Sequence, residues 1–307
     1  MGIKSQIKMI SAGFSHILHG ANTIKNGQTT NYAILQTSHR LEKGMCIRNP
    51  RSGWGYDKAE NLAELIHTEE NKRASDIEAV NIGKAVLAAY VEHKEVQNDF
   101  PERLAALKGK IKSYSLEPVR DSVYGGTLHI HRKDLELDDV AVEKLFYTRH
   151  SVRDFEDSEV DQSKIIKAVE YALRAPSACN RQATHVYIMT ESERMEAGGG
   201  NEYHANKYLI LTGVMDAYVP SELEDWIVSA SIFAGYLSLA LHAQGVGACV
   251  IRKSLVHEGD FGKGIRKVCS IPDNEEIVLE LAIGNYKDEF EVPVSYRRSA
   301  KDIIKHS

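Results

Sequence analysis

Apolar residues recur at helical spacing through the first third of the chain. Leu62, Ala63, Leu65 and Ile66, then Ile77, Val80, Ile82, Ala85, Val86, Ala89 and Val91, predict helices between about Asn31 and Lys112. A second helical stripe runs from Gln162 to Arg174, with Ile165, Ile166, Val169, Ala172 and Leu173 behind an Asp161 cap. Pro176 then forces the chain into an extended exit. Beyond it the pattern changes. Short apolar runs at His185 to Thr190, Lys207 to Thr212 and Glu276 to Ile283 predict strands, and a Gly198-Gly199-Gly200-Asn201 turn separates the first two. A long helix is predicted from Asp225 to Gln244, ended by Gly245, and a short one from Gly262 to Val268.

Between the two patterns, Ser113 to Leu137 mixes Pro118, Gly125-Gly126 and an alternating Leu128-His129-Ile130-His131 run, which predicts a connector. The chain is therefore expected to form a helical unit over residues 1–137 and a second unit over 138–307. One further stripe, Ile3, Ile7, Ile10, Phe14, Ile17 and Leu18, with Lys4 and Lys8 beside it, has the spacing of a surface helix. It is short and poor in cations, so docking on protein is the better expectation than a membrane.

Composition adds exclusions. The 307 residues are 43% hydrophobic and 26% charged, ordinary values for a globular chain, and carry a net charge of −5. No basic run supports nucleic-acid binding. No window reaches the roughly 18 to 20 uninterrupted apolar residues of a membrane span, no apolar signal core opens the chain, and Gln6 breaks the myristoylation pattern after Gly2. Cys46, Cys179, Cys249 and Cys269 are scattered without CxxC spacing, so they are expected to be reduced and the protein cytoplasmic.

Candidate chemistry narrows the picture. A strand-linked GxGxxG and a GxxxxGK[ST] are both absent, which leaves a Rossmann site and a P-loop without support. His129 and His131 would share one face of a strand, yet no third ligand is spaced to complete a metal site. In the helical half, His39-Arg40-Leu41-Glu42-Lys43-Gly44 precedes Asn49-Pro50-Arg51-Ser52-Gly53-Trp54-Gly55-Tyr56. Gly44 can cap a helix ending at Lys43, Trp54 and Tyr56 can anchor the loop, and Asp57 can cap the next helix. The same loop can equally carry function.

The most informative feature is Arg149-His150-Ser151-Val152-Arg153-Asp154-Phe155, followed one helix later by Ala175-Pro176-Ser177-Ala178-Cys179-Asn180-Arg181-Gln182. Arg149 and Arg153 are four residues apart, which on a helical turn places both guanidinium groups on one face with the Ser151 hydroxyl between them. Two such cations suit the two charged ends of a flavin mononucleotide, its phosphate and its reduced pyrimidine ring. The small residues of the second segment let a flat ring approach the backbone, and Asn180 and Gln182 offer amides. Cys179 within it reads as a small packing residue.

Together and in this order, the two segments resemble the nitroreductase family of flavin enzymes. The resemblance runs from about Phe146 to the C-terminus and implies an α+β, three-layer fold: a central mixed or antiparallel sheet flanked by helices, here with an N-terminal helical domain added. It implies FMN as cofactor, NAD(P)H as transient reductant, hydride chemistry at flavin N5 with no obligatory side-chain acid or base, and a homodimer with flavin at the subunit interface. By position it puts Arg149, Ser151 and Arg298 at the phosphate end and Arg153 and Asn201 at the pyrimidine edge, with His150 also among the cofactor contacts. Pro176, Ser177, Ala178, Asn180 and Gln182 lie along the ring and ribityl chain, contributed by the partner. A backbone N–H near Ala230 and Ser231 would meet N5. There the family has Asp-x-Gly and this chain has Ser229-Ala230-Ser231, which keeps a backbone donor but narrows the space above the ring.

The span from Glu191 to Asp225 is short for the family's substrate cover, so the helical domain would supply cover, with Arg51 to Tyr56 facing substrate. The His39-x-x-Glu-Lys-Gly stretch resembles a subgroup associated with surface-polysaccharide synthesis. Two functional readings follow: an FMN-dependent oxidoreductase passing hydride to a small organic acceptor, or an accessory protein of a polysaccharide pathway without turnover. Oxidation of a peptide or heterocycle is a third.

Overall fold

The computed structural model describes residues 18, 21–24, 27–200, 202–251 and 260–305. Most of the N-terminal stripe (Ile3 to Ile17) and Asn201 lie outside them. The chain starts with a helical unit: α1 (Thr30–Cys46), α2 (Tyr56–Glu70), α3 (Ile77–Gln97) and α4 (Pro101–Ser113). Their apolar stripes meet in one core that includes Ile34, Leu41, Leu62, Ile66, Val86, Leu87, Leu107 and Ile111. The Asp76 side chain caps α3 by accepting from the Ala79 N–H at 3.0 Å.

Three local expectations are corrected here. Gly44 does not end α1, which continues to Cys46. Instead the glycine makes room for Trp54, whose Cζ3 would lie 2.2 Å from an added Cβ. Trp54 then packs edge-on to Tyr90 at 5.3 Å and His93 at 5.8 Å, so the tryptophan, half-buried, anchors the loop against the core of the unit. Asp57 is not the cap of α2; that position is Gly55, at φ 85°, and Asp57 pairs with Arg103. Finally, the alternating 128–131 run forms no strand, because no neighbouring strand offers it hydrogen bonds. It leads instead into a short 3₁₀ turn at Arg132–Leu135. The imidazoles of His129 and His131 touch edge to face, and no group of three metal-ligating side chains forms among the described residues.

After α5 (Asp139–Thr148) comes α6 (Gln162–Ala172), capped by Asp161, whose side chain accepts from the Ser163 N–H. β1 (Thr184–Thr190), α7 (Glu191–Glu196), β2 (Lys207–Val214), α8 (Asp225–Ala243), β3 (Val246–Ile251), α9 (Asp260–Cys269), β4 (Glu275–Asn285) and α10 (Ala300–Ile303) complete the order. Among the described residues the sheet is four-stranded and antiparallel, in the order β1-β2-β4-β3.

Alternation along β2 sends Leu209 and Leu211 to one face and Tyr208 and Ile210 to the other. α6 and α8 cover the first face through Ile165, Ala168, Ala230, Phe233, Leu237 and Leu241; α9, through Ile265, helps cover the second. A register shift between Leu211 and Thr212 leaves Val278 unpaired in β4, so it joins Leu279 in the same cluster. The outcome is the expected α+β arrangement, a sheet between helical layers with a helical unit before it.

Two findings qualify that arrangement. Ile24 is fully buried within the sheet core and Tyr32 of α1 packs against it, so the start of α1 serves both units. Also, α8 is long and apolar enough by composition to cross a bilayer, an exception to the expectation that no window qualifies. In this fold its apolar residues pack on the sheet.

Candidate functional site

The Arg149 to Phe155 segment is extended, which corrects the helical turn expected from spacing. α5 ends at Thr148, Arg149 has β-region dihedrals, Ser151 bridges in parallel to Ala248 of β3, and the Val152 N–H donates to the Ala248 carbonyl at 3.1 Å. A backbone paired to a strand cannot also close helical bonds. With a period of two, residues 149, 151 and 153 nevertheless fall on one side and Val152 on the other. Val152 is buried, while Arg153 is exposed and Arg149, His150 and Ser151 are half-buried.

Phe155 fixes the end of the segment. Its ring lies on a glycine pair, Gly247 and Gly284, which face each other across β3 and β4. A Cβ on Gly284 would stand 2.5 Å from Phe155 Cγ, and one on Gly247 would stand 3.2 Å from Cε1. The start is fixed by a polar chain. The Thr148 hydroxyl donates to the Lys144 carbonyl at 2.6 Å, so toward His242 Nε2, 2.8 Å away, it accepts. His242 is thereby assigned the Nε2–H tautomer, and its Nδ1 accepts from the Tyr286 hydroxyl at 2.8 Å. Burial, with Arg149 and His150 nearby, holds His242 below the usual imidazole range, which favours this neutral form.

Among the described residues neither Arg149, Arg153 nor Arg298 has a carboxylate partner, whereas Arg103, Arg120, Arg181, Arg194 and Arg266 all do. Arg153 Nη1 reaches only the Ser151 carbonyl, at 3.1 Å. Arg298 lies exposed before α10, and no hydrogen bond or ion pair joins it to the 149–153 segment.

The second segment lies elsewhere. Pro176, Ser177 and Gln182 line a small cleft with Leu173, Ala175, Thr184, Ser229 and Phe233. The loop is tightly wound: Cys179, Asn180 and Gln182 each have φ of 51°, in the left-handed region. Local bonds hold it there. The Gln182 N–H donates to Ser177 Oγ at 3.1 Å, and the Ala178 N–H donates to Ser229 Oγ at 3.2 Å. Ser229 is buried and so works as a loop anchor. The expected backbone donor at Ala230 and Ser231 falls within α8, which begins at Asp225, so both residues lie past the first turn of that helix. Within one chain none of Arg51 to Tyr56 lines this cleft; Tyr56 belongs to the helical core and Trp54 packs against it. The part of the helical unit that meets the loop is α1, where Gln36 Nε2 donates to Glu222 at 3.2 Å.

Within one chain the two segments meet α8 at opposite ends, at Ser229 and at His242. Thirteen residues of helix separate these, about 20 Å at 1.5 Å per residue.

Residues 147–226 match the model of the nitroreductase family. The match covers both segments and helix α6 between them, and it places the fold of the sheet unit with the nitroreductases. A protein of Archaeoglobus fulgidus named NADH dehydrogenase/NAD(P)H nitroreductase is 25% identical over 151 residues, 48% of this chain and 86% of the relative. One of the same name from Methanothermobacter thermautotrophicus is 29% identical over 154 residues, 48% of this chain and 77% of its own length. Among solved structures, a Desulfitobacterium hafniense nitroreductase with bound FMN is 18% identical with a TM-score of 0.44, covering 56% of this chain and 100% of that one.

Sequence reasoning missed His242, Tyr286 and the seat of Phe155. Gly245-Val246-Gly247 and Gly284 carried a signal for the seat. Nothing short-range announced the histidine.

Proposed function

We propose that this protein is an FMN-dependent oxidoreductase of nitroreductase type that takes hydride from NAD(P)H and delivers it to a small organic acceptor. The observation that carries the reading is the pair of unneutralised guanidinium groups, Arg149 and Arg153, on the same side of one extended segment inside the family match. Cations left without carboxylate partners are suited to a phosphate and to an anionic ring edge. Arg149, His150 and Ser151 would hold the phosphate, with Arg298 brought in from the C-terminal stretch. Arg153, and Asn201 beyond the described residues, would hold the pyrimidine edge. The flavin, when bound, supplies the centre that accepts and gives up hydride. The chain's task is to orient the ring and exclude water.

The spacing along α8 argues that one copy contributes the cations and a second copy contributes the Pro176, Ser177, Ala178, Asn180 and Gln182 loop. α8 also presents Val228, Ile232 and Tyr236, one helical turn apart and exposed, as an apolar stripe suited to a second copy. We therefore propose a homodimer with flavin between subunits, and a cytoplasmic location consistent with four free cysteines. The test is the visible spectrum of the purified protein with added FMN, before and after anaerobic NADH or NADPH. Flavin bands that bleach are expected; no flavin binding would overturn the assignment.

A further inference from the structure

Arg181 lies inside the candidate ring-binding loop, yet its side chain turns inward and has no exposed surface. Its Nε donates to the Ala178 carbonyl at 2.9 Å. Its Nη1 donates to the Ala217 carbonyl at 3.0 Å and to Glu222 Oε2 at 2.7 Å, and the guanidinium lies 4.5 Å from the centre of the Tyr218 ring. Burial opposes ionisation of Glu222, but bonds from Arg181 and the Val219 N–H outweigh it, and the carboxyl is held below its usual range.

Two of the three acceptors of Arg181, the Ala217 carbonyl and Glu222, are shared with the N-terminal part of the chain. Gln36 of α1, itself buried, donates to the second Glu222 oxygen, and Gln28 Nε2 donates to the same Ala217 carbonyl at 2.8 Å. Arg40, one turn beyond Gln36, adds positive charge near Glu222. The loop so held contains three non-glycine residues with left-handed dihedrals, a conformation that lasts only where the surroundings over-determine it.

We propose that Gln36, Glu222 and Arg181 form a positioning relay through which α1 of the helical unit sets the shape of the 176–182 loop, and so the flavin affinity of the sheet unit. This rests on reading that loop as a flavin contact. Arg181 is a positioning residue here: it acts on cofactor through the Ala178 carbonyl and the backbone around it. The helical unit then has a role at the site that needs no residue of its own against the ring. An apolar side chain could fill the same volume, but only a forked donor ties Ala178, Ala217 and Glu222 into one geometry.

The test uses the full chain, stripped of flavin, as wild type, Gln36→Leu, Arg181→Lys and Arg181→Met. Hydrogen exchange is followed by mass spectrometry over residues 176–183, and FMN affinity by flavin fluorescence. Gln36→Leu is expected to speed exchange at Asn180 to Gln182 by about fivefold or more, with β2 and β4 unchanged, since local opening is governed by local contacts. The FMN dissociation constant should rise roughly three- to tenfold in Gln36→Leu and by more than about tenfold in Arg181→Met, with Arg181→Lys between them. Loop exchange within about twofold of wild type in Gln36→Leu, or faster exchange spread evenly over the sheet, would overturn the relay. Should Arg181→Met fail to fold, Gln36→Leu still decides. Should wild type bind no FMN, the flavin reading falls while loop exchange still judges the coupling.

Discussion

The seat of Phe155 offers a direct test of how the cation-bearing segment is held. Gly284 lies near the end of β4 with ordinary strand dihedrals, so alanine is conformationally allowed there. The obstacle is steric, because its Cβ would stand 2.5 Å from both Cβ and Cγ of Phe155, about 1 Å inside normal contact. Phe155 is buried and cannot swing away without lifting the 149–155 segment off β3. Overpacking of this kind costs about 1–3 kcal/mol, and replacing a strand glycine by alanine returns about 0.5–1 kcal/mol of backbone entropy. The net expected loss is about 1.5 kcal/mol, roughly tenfold in the folding constant.

The assay can address the sheet unit alone. The chain has two tryptophans, Trp54 packed against the helical core and Trp226 in the sheet core. In a Trp54→Phe background, urea unfolding followed by Trp226 fluorescence should show the midpoint of Gly284→Ala falling with its slope unchanged. A Gly284→Ala variant as stable as its parent would refute the seating argument, and with it the claim that Phe155 fixes the register of Arg149 and Arg153.

Three further outcomes are expected. Gly109, in α4, has nothing within 4 Å of an added Cβ, so Gly109→Ala should stabilise the helical unit by about 0.5–1 kcal/mol, seen through Trp54 and not Trp226. His185 Nδ1 lies 2.8 Å from Glu275 Oε1, and this bond raises the His185 pKa; Glu275, also bonded to Tyr187 and Thr212, is held below its usual range despite burial. The histidine's contribution is complete below about pH 6.5 and lost as pH rises through its raised folded pKa; the carboxylate's is present above about pH 4.5 and lost as pH falls through its lowered one. A His185→Ala, Glu275→Gln double-mutant cycle should therefore give a larger coupling at pH 6 than at pH 9, and equal values would contradict the assignment. If flavin sits between copies, equal mixing of Arg153→Ala and Asn180→Ala chains after subunit exchange should restore about a quarter of wild-type sites, since half the dimers are mixed and each has one intact site. Recovery of none would point to sites built within one chain.

Much of the sheet unit was legible because its signals are local. The α6 stripe with its Asp161 cap, the three apolar runs that predicted strands and the Gly245 stop are each set by neighbours in sequence. What failed depends on distant partners. Arg149 to Arg153 is extended because of Ala248, about a hundred residues on, and no periodicity encodes that bond. Gly44 looked like a helix stop because its reason, the Trp54 ring, arrives from the following loop. Leu128 to His131 alternates as a strand does, but alternation makes no strand without a neighbour to bond. The polar link from α1 toward the 176–182 loop runs through Gln36 and Glu222, 186 residues apart, a contact invisible to hydrophobic patterning.

The burial of Ile24 in the sheet core has a consequence for how the chain is made. The helical unit leaves the ribosome first and can close its own core around Ile34 to Leu116 from contacts near in sequence. Ile24 must wait for the complete sheet core, whose last members Leu281 and Ile283 come some 250 residues later, which at about 5–20 residues per second is roughly 10–50 s of synthesis. For that interval Ile24, six residues ahead of α1, and Tyr32 in the first turn of α1 lack the core that covers them in the finished fold. Residues 138–307 expressed alone would have the converse defect, a sheet core with an empty place where Ile24 belongs.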